Sequence, residues 1–406
     1  MERLFCPDCG SLIQESDEGG KVLLCPKCGS LIDPEQAQKE ARFPTKTPSA
    51  TGEPDISLEP EHHKLEFTGS AGEYFRIWIV NIFLTIITLG IYAAWAKVRT
   101  RRYFYGQTML ADHPFEYTAN PIAILKGNLI IAGGLILYAL VDFLNPAFTS
   151  FVILAFYLVV PFLIYKSLRF YARNSAYRNI RFRFVGTLGE SYKTYFLVPL
   201  LIPLTLGIIV PYWALRRKKY FFENFAFGTS RNSFGGQPGP FYKVYVLAGL
   251  MILALIVLAG IASSITNLAI SGGASAPGLP GAGISFVIMI LVVYVVFLVV
   301  FTLVQQYIQA RITNYCWAQT HIGWLRFEST LMARRLFWIR FTNIFAILFS
   351  LGFLIPWAKV RRTRYILDNL AVKTYRSLDA FAAAPDEEVG AVGDTATDFF
   401  DLEIGL

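Results

Sequence analysis

One fifteen-residue sentence is written three times in this chain, and it constrains the fold more than any other feature. Leu89 to Tyr103 reads LGIYAAWAKVRTRRY, Leu206 to Tyr220 reads LGIIVPYWALRRKKY, and Leu351 to Tyr365 reads LGFLIPWAKVRRTRY. The copies align without gaps: Gly is second, an aromatic seventh (Trp95, Tyr212, Trp357), Arg eleventh (Arg99, Arg216, Arg361) and Tyr last. Each closes an apolar run and opens a basic one. That order of residues marks a membrane boundary, and its repetition means that one structural unit was used again.

The balance of residues agrees. The mean hydropathy is +0.45, with 54% hydrophobic and only 16% charged residues, which excludes an ordinary soluble domain. Charge is segregated: residues 1–64 carry −5, residues 385–406 carry −7, and residues 65–384 hold 30 basic against 10 acidic residues. The basic groups gather where apolar runs end, which fits anionic headgroups rather than nucleic acid. The clusters nearest the repeats are Arg99, Arg101 and Arg102; Arg216, Arg217, Lys218 and Lys219; and Lys359, Arg361, Arg362 and Arg364. They are the candidate lipid-headgroup residues, with Trp95, Trp213 and Trp357 beside them at the expected headgroup level. No nucleic-acid partner is expected.

The first 33 residues form a separate candidate domain. Cys6-Pro-Asp-Cys9-Gly and Cys25-Pro-Lys-Cys28-Gly are fifteen residues apart, the C-x2-C-x15-C-x2-C spacing of a zinc ribbon. Two residues between thiolates let one tight turn offer both sulfurs to one ion, and two such turns complete a closed tetrahedral site of four thiolates. One structural zinc per chain, held by Cys6, Cys9, Cys25 and Cys28, is expected, and a ribbon of this size suits recruitment of a cytosolic protein partner. Residues 34–63, with five prolines and almost no large apolar residue, read as a disordered linker in which His62 and His63 are solvated. The acidic tail 385–406 reads as a solvated end.

Seven apolar segments lie between these ends: about Ile77–Ala96, Gly127–Leu144, Phe148–Tyr165, Tyr195–Leu215, Val244–Ile261, Ile284–Val304 and Phe341–Ala358. Each is long enough to cross a hydrocarbon core. The loops within the second and third, and the fifth and sixth, lack Lys and Arg and read as external. The first, fourth and seventh have basic clusters beyond their C-terminal ends. The positive-inside rule then predicts that these three enter and leave on the cytoplasmic side as re-entrant helices broken near Gly90, Gly207 and Gly352. Period-two stretches at Leu65–Thr68, Phe115–Thr118, Ile180–Phe184, Leu325–Glu328 and Val372–Tyr375 predict half-buried strands beside the repeats.

The expected architecture is a mainly α-helical polytopic membrane protein with internal repeats, short flanking strands and a small zinc ribbon. Its parts are membrane repeat 1 (64–121), transmembrane hairpin 1 with a basic extension (122–179), repeat 2 (180–240), transmembrane hairpin 2 (241–322) and repeat 3 (323–384).

The stretches FTGSAGEYF, TLGIYAAWAKVRTRRYFYGQT and FEYT resemble the YjgN-like family of bacterial inner-membrane proteins, a family of unknown function. The resemblance runs from Lys64 to Ser377, and the second motif copy departs from the family's W-A-K-x-R form by reading Tyr212-Trp213-Ala214-Leu215-Arg216. It implies a multi-pass inner-membrane location and no activity; zinc-binding thiolates with no signal peptide put the N-terminus in the cytoplasm, and the charge pattern puts the C-terminus there too. No catalytic constellation is legible, so an enzyme is not expected. Asp142, the one carboxylate inside a clear span, lies close enough to the segment's end to reach water, and Cys316 reads as a packing residue. A membrane scaffold or regulator that binds anionic lipid ranks first, and a small-molecule or lipid transporter or channel second.

Overall fold

The computed structural model describes residues 61–273, 281–375 and 378, together with eight strand residues near the N-terminus. It separates into two units, residues 1–54 and 55–406. In the first unit, β1 (Leu4–Phe5) pairs with β2 (Leu12–Ile13), and β3 (Leu23–Leu24) with β4 (Leu31–Ile32). Both pairs are antiparallel and leave six residues between the strands, by the registers Phe5↔Leu12 and Leu24↔Leu31. Each gap contains one of the Cys pairs. The four cysteines themselves lie outside the described residues, as do nearly all of the predicted linker and the acidic tail.

The second unit repeats one plan five times: a strand rises to a rim, a helical hairpin leaves and returns, and a second strand descends. The hairpins are Ala71–Ile87 with Ala93–Gly106, Pro121–Leu144 with Thr149–Arg173, Leu188–Leu204 with Val210–Asn224, Pro238–Gly273 with Gly281–Ala318, and Ala333–Phe349 with Ile355–Asp368. The first, third and fifth are short; the second and fourth are long. The strands are β5 (Glu61–Phe67), β6 (Thr108–Leu110), β7 (His113–Tyr117), β8 (Ser175–Tyr177), β9 (Ile180–Phe184), β10 (Phe225–Phe227), β11 (Ser230–Phe234), β12 (Thr320–Ile322), β13 (Leu325–Ser329) and β14 (Leu370–Thr374).

All ten close into one antiparallel barrel, with β14 pairing back onto β5 through Val372↔His63 and Lys373↔His62. The strands on either side of every helical hairpin are neighbours: β5–β6, β7–β8, β9–β10, β11–β12 and β13–β14. All five hairpins therefore leave from the same rim, and the β-turns form the other. Two of those turns, Ala111-Asp112 and Arg178-Asn179, have both residues at positive φ, the type I′ geometry that matches the twist of a hairpin.

The sequence alternates as a closed barrel requires. Leu65, Phe67, Leu110, Phe115, Tyr177, Phe182, Phe227, Leu325, Phe327 and Val372 gather in one inner cluster, while the intervening Glu66, Glu116, Arg181, Arg326 and Glu328 are exposed. A barrel with a charged outer wall belongs in water.

The joint between hairpin and barrel is the same in every repeat. An amide residue ends the second helix, and its carbonyl accepts from the residue just beyond the rising strand. The bonds are Thr68→Gln107, Thr118→Asn174, Val185→Asn224, Gly235→Gln319 and Thr330→Asn369, at 2.8 to 3.0 Å. A tyrosine one turn earlier reaches the first helix's N-terminus. Tyr103 Oη donates to Ser70 O at 2.8 Å and Tyr220 Oη to Thr187 O at 3.1 Å, while the amides of Met332 and Gln237 donate to Tyr365 Oη at 3.0 Å and Tyr315 Oη at 2.8 Å. In the second hairpin this position is Phe170. Ser70 with Glu73, and Thr187 with Glu190, add capping boxes that satisfy the free amides of their helices.

Two sequence expectations change in detail. Glu61, His62 and His63, read as the end of the linker, stand in β5, where they pair with β14. The protein is mainly helical, as expected, but its short strands do more than flank the repeats: all ten close into one barrel, and every helical hairpin leaves from its rim. The basic extension expected at the end of hairpin 1 (122–179) consists of the last turns of helix Thr149–Arg173 followed by β8.

A candidate lipid interface above the barrel rim

The first half of the repeated motif is a turn. Leu89 and Gly90 have φ of 51° and 91°, Leu206 and Gly207 49° and 85°, and Leu351 and Gly352 50° and 93°. Each Gly amide donates to the carbonyl five residues back (Thr85, Ile202, Ile347) at 2.8 to 2.9 Å, which closes the first helix with a left-handed cap. The residue before the first and third copies also matters, and sequence reading missed it. Thr88 Oγ1 accepts the Tyr92 amide at 2.9 Å and Ser350 Oγ the Leu354 amide at 3.0 Å. Polar groups of the tip are thus satisfied internally, as hydrocarbon surroundings demand. The three breaks fall at the predicted glycines.

The tips are also apolar and bare. Leu89 is 94% exposed, Leu206 91% and Leu351 89%. Ile86, Ile208 and Phe349 surround them and are exposed too. A water-facing element would not present three such surfaces. From Ile77 to the Leu89-Gly90 turn the helix rises about 20 Å, less than the hydrocarbon core of about 30 Å. By contrast, four helical stretches of the long hairpins are long and apolar enough to cross a membrane: Pro121–Leu144, Pro146–Arg173, Pro238–Ile261 and Ile290–Ala318. Their apolar windows are only 11% to 22% buried, so lipid is their natural surrounding. Asp142 sits near the end of the first, where it accepts from Thr149 Oγ1 at 2.9 Å.

The second half of the motif lies between tip and barrel. Arg217 stacks on Trp213 with 4.1 Å from guanidinium carbon to ring centroid, and Arg361 on Trp357 at 5.0 Å. Arg361 also donates to Thr342 Oγ1 at 2.7 Å and Asn343 Oδ1 at 3.2 Å. Two arginines at the fourteenth motif position tie each repeat to the next. Arg102 Nη2 donates to Ala119 O at 3.3 Å and Arg364 Nη2 to Gly69 O at 2.8 Å, in each case to the carbonyl preceding the neighbouring hairpin's cap. Lys219 holds that position in the second copy and pairs with Glu223 at 3.8 Å. Arg101 donates to Tyr117 Oη at 2.8 Å beneath the Tyr171 ring. Lys359 lies over Phe104 at 4.9 Å. Arg99 is exposed, and Arg216, Lys218 and Arg362 are half-buried.

Two clefts open among these groups. One, of about 530 Å³, is lined by Trp78, Asn81, Thr100, Lys97, Arg101 and Lys359. The other, of about 470 Å³, is lined by Arg335, Trp338, Trp357, Arg361, Arg364 and Asp368. Inside the barrel a third, apolar cavity of about 160 Å³ runs between Phe115, Phe182, Phe227, Phe327 and Trp317. At its helical end the Tyr105 hydroxyl bonds to Tyr171 and lies 3.2 Å from Ser175 Oγ. Burial, reinforced by the neighbouring Tyr171, raises the Tyr105 phenol well above its ordinary value, so it stays protonated. Among the described residues no group of His, Cys, Asp and Glu is arranged to hold a metal.

Residues 62–399 match the model of a bacterial protein family of unknown function, DUF898. Over 160 residues the chain is 36% identical to the inner membrane protein YjgN of Salmonella typhimurium, a stretch covering 38% of this chain and 39% of that protein. Over 156 residues it is 28% identical to the inner membrane protein YjgN of Escherichia coli K12, covering 37% and 38%. The matched stretch thus spans about two fifths of each of these relatives. No solved structure is significantly similar to it. With the match running from the start of the barrel past its last strand, the chain belongs to the DUF898 family of bacterial proteins of unknown function.

Proposed function

We propose that this protein is a scaffold or regulator of the bacterial inner membrane that grips anionic lipid with its helical crown and recruits a cytosolic partner with its N-terminal ribbon. The observation that carries the reading is the layering of the second unit: charged barrel, collar of Arg, Lys and Trp, then bare leucine tips. Each Lys or Arg near an anionic surface contributes about 1 kcal/mol, so a collar built from three motif copies holds the barrel against one leaflet. The related proteins' names place them in the inner membrane. The reading places both termini in the cytoplasm, by the charge rule and the thiolate chemistry of the ribbon. A transporter, the second reading, needs a polar path between the spans, where Asp142 is the one carboxylate.

For the ribbon, the support is local. Two strand pairs of identical register flank the two C-x-x-C pairs in sequence, as two knuckles of one zinc site would require. Cys6, Cys9, Cys25 and Cys28 would hold it, and its role would be structural, coupling the folding of residues 1–33 to metal.

Single cysteines at Asp112, Arg231 and Lys373 test the arrangement with an impermeant thiol reagent in intact cells. None should label from outside, and all three should label in inverted vesicles. External labelling of any one would remove the barrel from the cytoplasm and the proposal with it. Elemental analysis of a reducing preparation should find one zinc per chain, and Cys25→Ser should release it.

A further inference from the structure

Two of the short hairpins carry the same buried amide, and only one of them is satisfied. Asn343 in the fifth hairpin donates to Ala358 O at 3.1 Å and accepts from Arg361 at 3.2 Å. Asn81 in the first hairpin holds the equivalent place: its Nδ2 faces Ala96 O at 3.4 Å and Thr100 Oγ1 at 3.5 Å. Its Oδ1 accepts nothing, although the residue is only 5% exposed. The motif position that supplies Arg361 supplies Arg99 here, and Arg99 points to solvent. A buried carbonyl oxygen without a donor costs about 1–3 kcal/mol, which argues that a donor comes from elsewhere.

The surroundings say what kind. Asn81 lines the 530 Å³ cleft together with Lys97, Arg101 and Lys359, a positive wall suited to a phosphate. Trp78, Ile82 and Ile86 continue the cleft toward the bare tip at Leu89, an apolar path suited to acyl chains. In the fifth hairpin Arg361 fills the corresponding corner.

We propose that the cleft of the first hairpin is a binding site for one anionic phospholipid with a hydroxylated headgroup. The phosphate faces the three cations, the headgroup hydroxyl donates to Asn81 Oδ1, and the chains follow Trp78 and Ile82 into the bilayer. This rests on the lipid-gripping reading above and adds to it a place and a headgroup preference.

The test uses the full chain in nanodiscs of phosphatidylcholine doped with equal charge of phosphatidylglycerol or phosphatidylmethanol, the latter a phosphodiester of the same charge with no hydroxyl to donate. Native mass spectrometry reads the retained lipid. The unaltered protein should retain phosphatidylglycerol about tenfold better, the worth of one buried hydrogen bond. Asn81→Leu should abolish that preference while anionic lipid is still retained over phosphatidylcholine. Asn81→Asp, which keeps the site polar, should weaken both anionic lipids. Asn343→Ala should leave the preference intact. A preference that survives in both Asn81 variants, or is absent from the unaltered protein, overturns the site. Loss of all selectivity for anionic over zwitterionic lipid in the unaltered protein overturns the underlying reading instead. Displacement of the lipid by soluble glycerol phosphate would assign the cleft to a soluble ester and overturn the lipid.

Discussion

The short and long hairpins stand on the same joint and do different things above it. Below the rim all five share the amide-to-strand bond, and four of five share the tyrosine that reaches the helix N-terminus. Above the rim they diverge. The short ones turn within two left-handed residues and end in exposed leucines; the long ones run on as helices of 24 to 38 residues. The fold thus separates anchorage from reach. Barrel and joint hold the architecture, and the length of each insertion sets how deep it goes. In the arrangement proposed above, the four long helices make four crossings that fix the protein in the membrane, while three shallow insertions load a single leaflet.

The largest expected effect tests this division. Phe227 lies in the barrel core, 6% exposed, and Phe143 at the far end of a long hairpin is 87% exposed. Phe227→Ala should cost about 3–5 kcal/mol by opening the aromatic interior. Phe143→Ala should fall within about 0.5 kcal/mol of the parent in detergent. Equal losses in denaturant titrations would show that the long hairpins pack on something of their own, and the separation would fail.

The turn itself comes next. Gly352 has φ of 93°, a conformation that β-branched residues resist, so Gly352→Val should destabilise by about 1–3 kcal/mol. Gly133 lies inside a long helix with no atom within 4 Å of an added Cβ, so Gly133→Ala should gain about 0.5–1 kcal/mol from helix propensity. Thermal unfolding of the two variants should shift in opposite directions. A loss at both would mean that the long hairpin also depends on a glycine-shaped packing surface.

Much of this plan was legible before any coordinates, and the missing part has a physical reason. Gly90, Gly207 and Gly352 marked the breaks because a left-handed turn favours glycine. Five alternating stretches revealed β5, β7, β9, β13 and β14. The strands β6, β8, β10 and β12 have three residues each, too few to show a period, and Ser-Arg-Asn-Ser-Phe of β11 has one apolar residue to alternate. Barrel closure was hidden because β5 and β14 are about three hundred residues apart in the chain. The fivefold plan was hidden because only the short hairpins carry the Leu-Gly turn. The signal that could have exposed it is the spacing of Gln107, Asn174, Asn224, Gln319 and Asn369, each immediately before a strand. Of the candidate site, the cationic residues were found from their clustering. Asn81 was not, since a lone amide in an apolar run has no pattern.

The shared joint can be tested directly. Tyr365→Phe in a short hairpin and Tyr315→Phe in a long one each remove the acceptor of one backbone amide, that of Met332 and of Gln237. Each should cost about 0.5–1.5 kcal/mol. Matched losses would support one joint under both kinds of hairpin. A silent Tyr315→Phe would mean that the long hairpins are seated differently and that the resemblance stops at the backbone.

The smallest effect lies on the barrel wall below a short hairpin. Lys373 on β14 meets Glu328 on β13 at 2.7 Å, across the strand pair that flanks the fifth hairpin. The hydrogen bond and charge of Lys373 hold the Glu328 carboxyl below its ordinary value of 4.5. A lowered carboxyl pKa means that the folded state binds fewer protons, so the stabilisation is complete above the ordinary value and disappears as pH falls through the lowered one. Both side chains are substantially exposed, and such pairs contribute at most about 1 kcal/mol, less in salt. Glu328→Gln should therefore melt slightly below the parent near neutral pH in low salt, and the two curves should converge in acid and in high salt. If the gap persisted in acid, Glu328 would be acting through packing on the barrel wall and not through its charge, and the seat of the fifth hairpin would depend on that contact more than on its tyrosine.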